Sequence, residues 1–154
     1  MVQADCVFCK IVAGEFPSYQ VWEDDKHLAF LTPFPNTEGF TVLVVKDHYD
    51  SYFAELPKTV LDGLVGAAQT VAKKIDAAYD DVGRTGLMFE GFGVNHIHAK
   101  LVPMHATKSD TWKERISHQE TYFHEYPGYI SSHDAPVADP AELEATAKKI
   151  RDAV

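Results

Sequence analysis

The spacing of apolar residues along the chain switches between the patterns typical of strands and of helices. Two short apolar runs, Tyr19–Glu23 and His27–Leu31, flank the polar turn Asp24-Asp25-Lys26 and are predicted to form neighbouring strands. The run Phe40–Val45 is almost continuously apolar and rich in β-branched residues, which predicts a buried strand. The first part of the chain is therefore predicted to form a sheet.

The middle of the chain carries one long helical pattern. Between Pro57 and Tyr79, apolar residues recur three and four positions apart, at Val60, Leu61, Leu64, Val65, Ala68, Val71 and Ile75. Two further strands are predicted after this helix, at Leu87–Glu90 and His96–Val102.

The end of the chain predicts a second helix, with Asp139 as N-cap, Pro140 at the first position and Glu142 completing a capping box. Before it, the aromatic-rich stretch Met104–Val137 has no clear period, and we expect it to pack across the body or against a second subunit. The order of elements predicts an α+β fold with a mainly antiparallel sheet. We expect one domain over 1–154, with a core at about 5–105 and a C-terminal extension at about 106–154.

Charge and composition restrict the class of partner. The net charge is −9 and no Lys/Arg cluster is longer than a pair, whereas a nucleic-acid binder usually carries a basic patch. No apolar run approaches the roughly 18 residues of a membrane span, and the N-terminus lacks the basic start of a signal peptide. We therefore expect a cytoplasmic protein with a small ligand, and neither a membrane nor long nucleic acid as partner.

The chain has two cysteines, Cys6 and Cys9, in a C-x-x-C pair. Such a pair outside an oxidising compartment is usually half of a metal site or a redox pair, and two buried thiols are a third interpretation. A closed zinc site needs four ligands, so two histidines would have to complete it. His48, directly after a predicted strand, and His96, at the start of another, are the candidates.

A second polar pattern lies on the last predicted strand. Alternate strand residues share a face, so His96, His98 and Lys100 project together while the residues between them point into the core. Two imidazoles and an ammonium on one face indicate a site for a ligand or metal. The alternative is a solvated face of an edge strand.

Five segments in order resemble the histidine triad (HIT) superfamily: Cys6–Ile11, Glu23–Asp25, Leu28–Leu31, Gly39–His48 and His96–His98. They extend from residue 6 to about 102, and the C-x-x-C opening and the His-x-His strand are their most specific parts. The resemblance implies a HIT-like fold and, usually, a homodimer formed through the long helix and a sheet edge.

The resemblance also implies a chemistry. His98 holds the position of the family's nucleophile, which attacks the α-phosphorus of a nucleotide to form a covalent phosphohistidine that water then cleaves. Cys6, Cys9, His48 and His96 match the ligands of a structural zinc, Zn²⁺, in zinc-containing members.

The resemblance further assigns a nucleotide pocket. Its matching positions are Val7, Phe8, Ile11, Phe30 and Pro33, and we expect Thr32 and Asn95 to contact the substrate as well. Plain core packing is the alternative for the apolar ones.

Three positions depart from the family pattern. Lys100 replaces the third histidine, Thr32 replaces the acidic residue that commonly contacts the ribose, and Gly91–Asn95 is a shortened approach to the triad. Lys100 is expected to hold a phosphate oxygen in place of the imidazole. Two hypotheses stay open: a nucleotide hydrolase or nucleotidyl transferase, and a zinc-stabilised nucleotide-binding or interaction protein with little turnover.

Overall fold

A five-stranded antiparallel sheet organises the protein. The computed structural model describes residues 3, 5–114, 125 and 137–153. Within them, the strands are β1 (Tyr19–Glu23), β2 (His27–Leu31), β3 (Thr41–Val45), β4 (Thr85–Met88) and β5 (His98–Pro103). Their order across the sheet is β1-β2-β3-β5-β4, so β5 is an interior strand and β4 an edge.

In the described part of the chain, three α-helices accompany the sheet: α1 (Val7–Val12), α2 (Lys58–Ala78) and α3 (Pro140–Asp152), with a short 3-10 helix at Phe53–Glu55. As predicted, Asp139 is the N-cap of α3 and its carboxylate accepts hydrogen bonds from the backbone N–H groups of Ala141 and Glu142. The α+β class with an antiparallel sheet, expected from the sequence, is confirmed.

The sheet buries both of its faces. On one face, alternate residues of β2, β3 and β5 pack against α2 and α3, and these include Ala29, Leu31, Leu43, Ala99 and Leu101. Ile97, just before β5, packs into the same cluster. On the other, a smaller cluster of Leu28, Phe30, Phe40, Val42 and Val44 packs against Phe8 and Ile11 of α1. Two covered faces explain why β2 and β3 are continuously buried rather than alternating.

The last two strands differ from the predicted ranges. β4 covers Thr85–Met88 instead of Leu87–Glu90, because its ladder with β5 pairs Thr85 with Pro103 and ends at Met88 opposite Lys100. β5 begins at His98 rather than His96, because the backbone N–H of Ile97 bonds to the carbonyl of Tyr49 at 2.9 Å outside the sheet.

Two further expectations concern parts of the chain beyond this core. Most of the aromatic stretch 104–137, including its 126–129 motif, lies outside the described residues. Trp112 is described, and its side chain is exposed. No helix within the described ranges combines the length and the apolar character that crossing a membrane requires.

Gly39 is predicted to be a position where no side chain is tolerated. Its φ is +80°, and an added Cβ would lie 2.7 Å from the Tyr79 hydroxyl and 3.1 Å from Cγ of Pro103. Gly39→Ala should therefore lower the free energy of unfolding by about 1–3 kcal/mol in urea denaturation. Gly66→Ala is the control, because its Cβ meets nothing within 4 Å and alanine is favoured in a helix by about 1 kcal/mol. Equal stability of the Gly39 variant and the parent would contradict this account.

Candidate functional site

The two cysteines and two histidines singled out by the sequence come together in one cluster. The donor atoms of Cys6, Cys9, His48 and His96 all lie within 4.8 Å of one another. Cys6 is the N-cap of α1 and Cys9 lies in its first turn. His48 follows β3 and His96 precedes β5, so the cluster joins the N-terminal segment to the middle of the sheet.

The spacing of the donors fits a tetrahedral metal ion. A zinc bound to sulfur at about 2.3 Å and to nitrogen at about 2.0–2.1 Å separates the two donors by about 3.5–3.6 Å. His96 Nδ1 lies 3.4 Å from Cys6 Sγ and 3.6 Å from Cys9 Sγ, and His48 Nδ1 lies 3.5 Å from Cys9 Sγ. With four protein donors, such a site leaves no position open for substrate.

Hydrogen bonds and burial around the cluster affect the orientation and protonation of its donor atoms. His96 Nε2–H donates to the Val45 carbonyl at 2.7 Å, which leaves Nδ1 unprotonated and aimed at the thiols. The backbone N–H of Cys9 donates to Cys6 Sγ at 3.5 Å. Burial raises the pKa of the Cys9 thiol, so a metal has to displace its proton.

His98 is held in one tautomer by the backbone. Its ring lies on the α1 side of β5, is 4% exposed, and has its centroid 5.2 Å from that of Phe8. Nδ1–H donates to the carbonyl of His96 at 2.7 Å, so Nε2 keeps its lone pair. Burial lowers the pKa of His98, and the Lys100 ammonium lowers it further. The imidazole is therefore neutral near pH 7, as a nucleophile must be. Because β5 is an interior strand, the alternative of a solvated edge does not apply.

An apolar cleft of about 330 Å³ opens beside His98. Its lining includes every predicted pocket residue except Asn95, together with the two predicted catalytic side chains: Val7, Phe8, Ile11, Phe30, Thr32, Pro33, Phe34, Phe40, Val42, Phe92, Gly93, Val94, His98 and Lys100. The cleft joins residues of α1, β2, β3, β5 and the segment 91–95.

Asn95 has a different environment. Its amide oxygen accepts the backbone N–H of Ser51 at 3.0 Å, and its amide nitrogen donates to Asp50 at 2.9 Å. The Ser51 hydroxyl also donates to the carbonyl of Gly91 at 2.7 Å, so Ser51 fastens both ends of the segment 91–95. Contact of Asn95 with substrate stays a prediction.

Sequence reasoning missed one charged residue of the site, Glu90. Its carboxylate lies 2.5 Å from the Lys100 ammonium, and the two side chains are only 6% and 15% exposed. A lysine on a covered strand face needs a carboxylate partner, which was the available signal. The sequence did not indicate which of several acidic residues would pair with Lys100, because the Lys100–Glu90 pair depends on how β4 ends beside β5.

Comparison with known proteins agrees with this geometry. The profile described as HIT domain matches residues 13–107, well over half of the chain. The chain belongs to the HIT domain family. Within this family it is 31% identical over 136 residues to the protein hit of Bacillus subtilis, covering 83% of this chain and 90% of that one.

Two other members bear on chemistry and metal. An adenosine 5'-monophosphoramidase of Saccharomyces cerevisiae is 29% identical over 108 residues, covering 70% of this chain and 68% of the yeast protein. A zinc-bound histidine triad family protein of Mycobacterium smegmatis superposes with a TM-score of 0.68 at 22% identity, covering 96% of this chain and 91% of that one. The latter likeness establishes the shared fold.

Proposed function

We propose that this HIT protein hydrolyses nucleotide phosphate esters or phosphoramidates, or transfers their nucleotidyl group, through a covalent intermediate on His98. One observation carries the proposal: a buried neutral imidazole, with Nδ1–H tied to the His96 carbonyl, adjoins a cleft large enough for a nucleoside. The activity of the yeast relative on an adenosine phosphoramidate supports the same class.

The reaction divides into two displacements. His98 Nε2 forms a bond to the α-phosphorus while the bond to the leaving group breaks, and that group departs with a proton drawn from the surrounding water. Water then adds its oxygen to phosphorus, the P–N bond to His98 breaks, and the released proton restores the balance. Two easier steps replace one difficult step, and the imidazole is a good leaving group once protonated.

The residues of the cleft would position the nucleotide for attack by His98. The aromatic rings of Phe8 and Phe30 meet edge to face, with centroids 5.7 Å apart, and give a nucleobase an apolar wall. Thr32 offers a hydroxyl at the same wall, where a ribose oxygen can bond to it. We expect Lys100 to contact the phosphoryl oxygens, on which negative charge grows during attack.

We further propose that Cys6, Cys9, His48 and His96 hold a structural zinc. The donor set, two sulfurs and two nitrogens at tetrahedral spacing, supports this metal. A zinc there would stabilise the start of β5 and so hold the backbone carbonyl that orients His98.

One observation favours the second candidate function, a nucleotide-binding protein with little turnover. The positive charge of Lys100 is already compensated by Glu90. The paired ammonium therefore stabilises the negative charge of a transition state less than an ammonium without a carboxylate partner would. Incubation with an adenosine phosphoramidate and analysis of the products separates the two functions, because only the enzyme releases adenosine monophosphate repeatedly.

A homodimer and a cytoplasmic location stay predictions. β4 is one of the two edge strands of the sheet. Leu87 on β4 and Val65 on α2 are 45% and 43% exposed, which supports pairing between two copies through the β4 edge. Light scattering on the purified protein measures the mass that decides the oligomeric state.

Removal of the nucleophile should abolish turnover and spare binding. His98→Ala is expected to lose nearly all activity in steady-state assays, while nucleotide affinity stays within about threefold, because the side chain acts in the chemical step. His105→Ala is the matched control, since His105 pairs with Asp81 outside the cleft. A His98 variant with the parental turnover number would exclude the covalent mechanism.

Purified protein should contain one zinc per chain. Cys9→Ser and His48→Ala should each lower both the zinc content and the melting temperature, because the free energy of metal binding contributes to folding. His105→Ala should leave the zinc content unchanged. Elemental analysis with thermal denaturation gives the two values, and protein that was never exposed to chelator but carries no metal would refute the site.

Lys100→Ala is expected to lower kcat/KM by about ten- to a thousandfold, the range for loss of one electrostatic stabiliser. The change also removes the Lys100 ammonium from the Glu90 carboxylate, which destabilises the fold. The Lys100→Ala/Glu90→Gln double variant removes that second effect, and Lys100→His should restore part of the activity. If Lys100→Ala matches the parent in kcat/KM, Lys100 has no catalytic role.

A further inference from the structure

Glu90 does not line the cleft, but it changes the net charge beside it. Among the described residues that line the cleft, Lys100 is the one lysine, and no arginine, aspartate or glutamate joins it. The Glu90 carboxylate lies 2.5 Å from the Lys100 ammonium, and 6% of the Glu90 side chain is exposed. The phosphoryl position beside His98 therefore adjoins a pair with no net charge.

An ion pair of this kind is expected to bind singly and doubly charged phosphoryl groups with different affinities. An oxygen carrying one negative charge shares the Lys100 ammonium with Glu90 and receives a hydrogen bond from it. A second negative charge finds no further cation within the described lining of the cleft, and the fixed Glu90 carboxylate repels it. This repulsion is weakly screened, because the Glu90 and Lys100 side chains are only 6% and 15% exposed.

We propose that Glu90 is a specificity-determining residue that selects phosphoryl groups carrying one negative charge and rejects those carrying two. The inference rests on the proposed nucleotide function and narrows its substrate class. The accepted ligands are nucleoside 5'-phosphates substituted on phosphorus, as phosphoramidates, diesters or mixed anhydrides. The unsubstituted nucleoside monophosphate is the disfavoured ligand.

The same charge difference favours product release. Hydrolysis of the phosphohistidine adds a hydroxyl to phosphorus, and that hydroxyl ionises with a pKa of about 6, as in other phosphate monoesters. The product then carries one charge more than the substrate, and Glu90 repels it. In this arrangement Lys100 attracts the substrate, while its partner limits how tightly the product binds.

The simpler alternative is that Glu90 only neutralises a buried lysine so that the chain folds. A binding measurement, which needs no turnover, distinguishes this hypothesis from charge selection. Adenosine 5'-methylphosphonate and adenosine 5'-monophosphate have nearly the same shape, but at pH 8 they carry one and two negative charges. A role limited to folding changes the affinity for both ligands together, whereas charge selection changes their ratio.

The test is titration calorimetry of the full chain with both ligands at pH 8. The parent should bind the methylphosphonate more tightly than the monophosphate, by on the order of ten- to a hundredfold, as expected for one added charge near a buried carboxylate. Equal affinity, or a preference for the monophosphate, overturns the proposal without any variant having to fold.

Variants of Glu90 test whether its carboxylate causes the difference in affinity between the two ligands. Glu90→Gln keeps an acceptor for Lys100 and should tighten monophosphate binding by about tenfold or more, while methylphosphonate affinity changes by less than about threefold. Glu90→Asp retains the charge and should retain the preference for the singly charged ligand. Glu144→Gln is the control with the same charge change, because Glu144 pairs with Arg151 on α3, which packs with the opposite face of the sheet.

The failure of this inference is distinguishable from failure of the proposed function. Turnover of a phosphoramidate with no discrimination between the two ligands overturns the role of Glu90 alone. Discrimination without any turnover overturns the hydrolytic function and supports the role of Glu90. Absence of binding for both ligands overturns the two together.

Discussion

Three polar side chains on the buried face of one strand, or just before it, must each find a partner, and the arrangement of the site follows from this requirement. His96 meets it with the Val45 carbonyl on one ring nitrogen and the cysteine sulfurs beside the other. His98 uses the carbonyl of His96, and Lys100 uses Glu90. A buried polar group without a partner costs about 1–3 kcal/mol, so each partner stabilises the fold as well as orienting the side chain.

This requirement couples the candidate metal cluster to the candidate nucleophile. The carbonyl that fixes the tautomer of His98 belongs to His96, whose own ring faces the cysteines. Any shift of the His96 backbone would therefore change both the cluster and the direction of His98 Nε2. The segment 91–95 adds a second restraint, because Ser51 and Asn95 hold it against the residues that follow β3. The shortened approach to the triad is thus a fastened segment rather than a loose loop.

The pair of Lys100 and Glu90 changes the interpretation of the family's missing third histidine. An imidazole at that position would titrate near neutral pH, whereas the lysine carries a full charge that the protein interior must neutralise. Glu90 supplies that neutralisation next to the cleft. Under the proposed function, the phosphoryl group would therefore adjoin an ion pair with no net charge. In a protein of net charge −9, a local pair of this kind would let an anion bind without making the cleft basic.

The sequence by itself determined the elements that depend on local spacing. It predicted β1 and β2 within their observed bounds, the long helix to within a residue at each end, and the Asp139 cap of the last helix. It also identified the four donors of the candidate metal cluster, because the C-x-x-C spacing, two histidines at the ends of predicted strands and the resemblance to the HIT superfamily indicate them. Only the tertiary structure decided where β4 ends, that Asn95 bonds to Asp50 and Ser51, and that Glu90 is the partner of Lys100. These features arise from contacts between segments that are distant in sequence or turn away from the sheet, and no local pattern specifies such contacts.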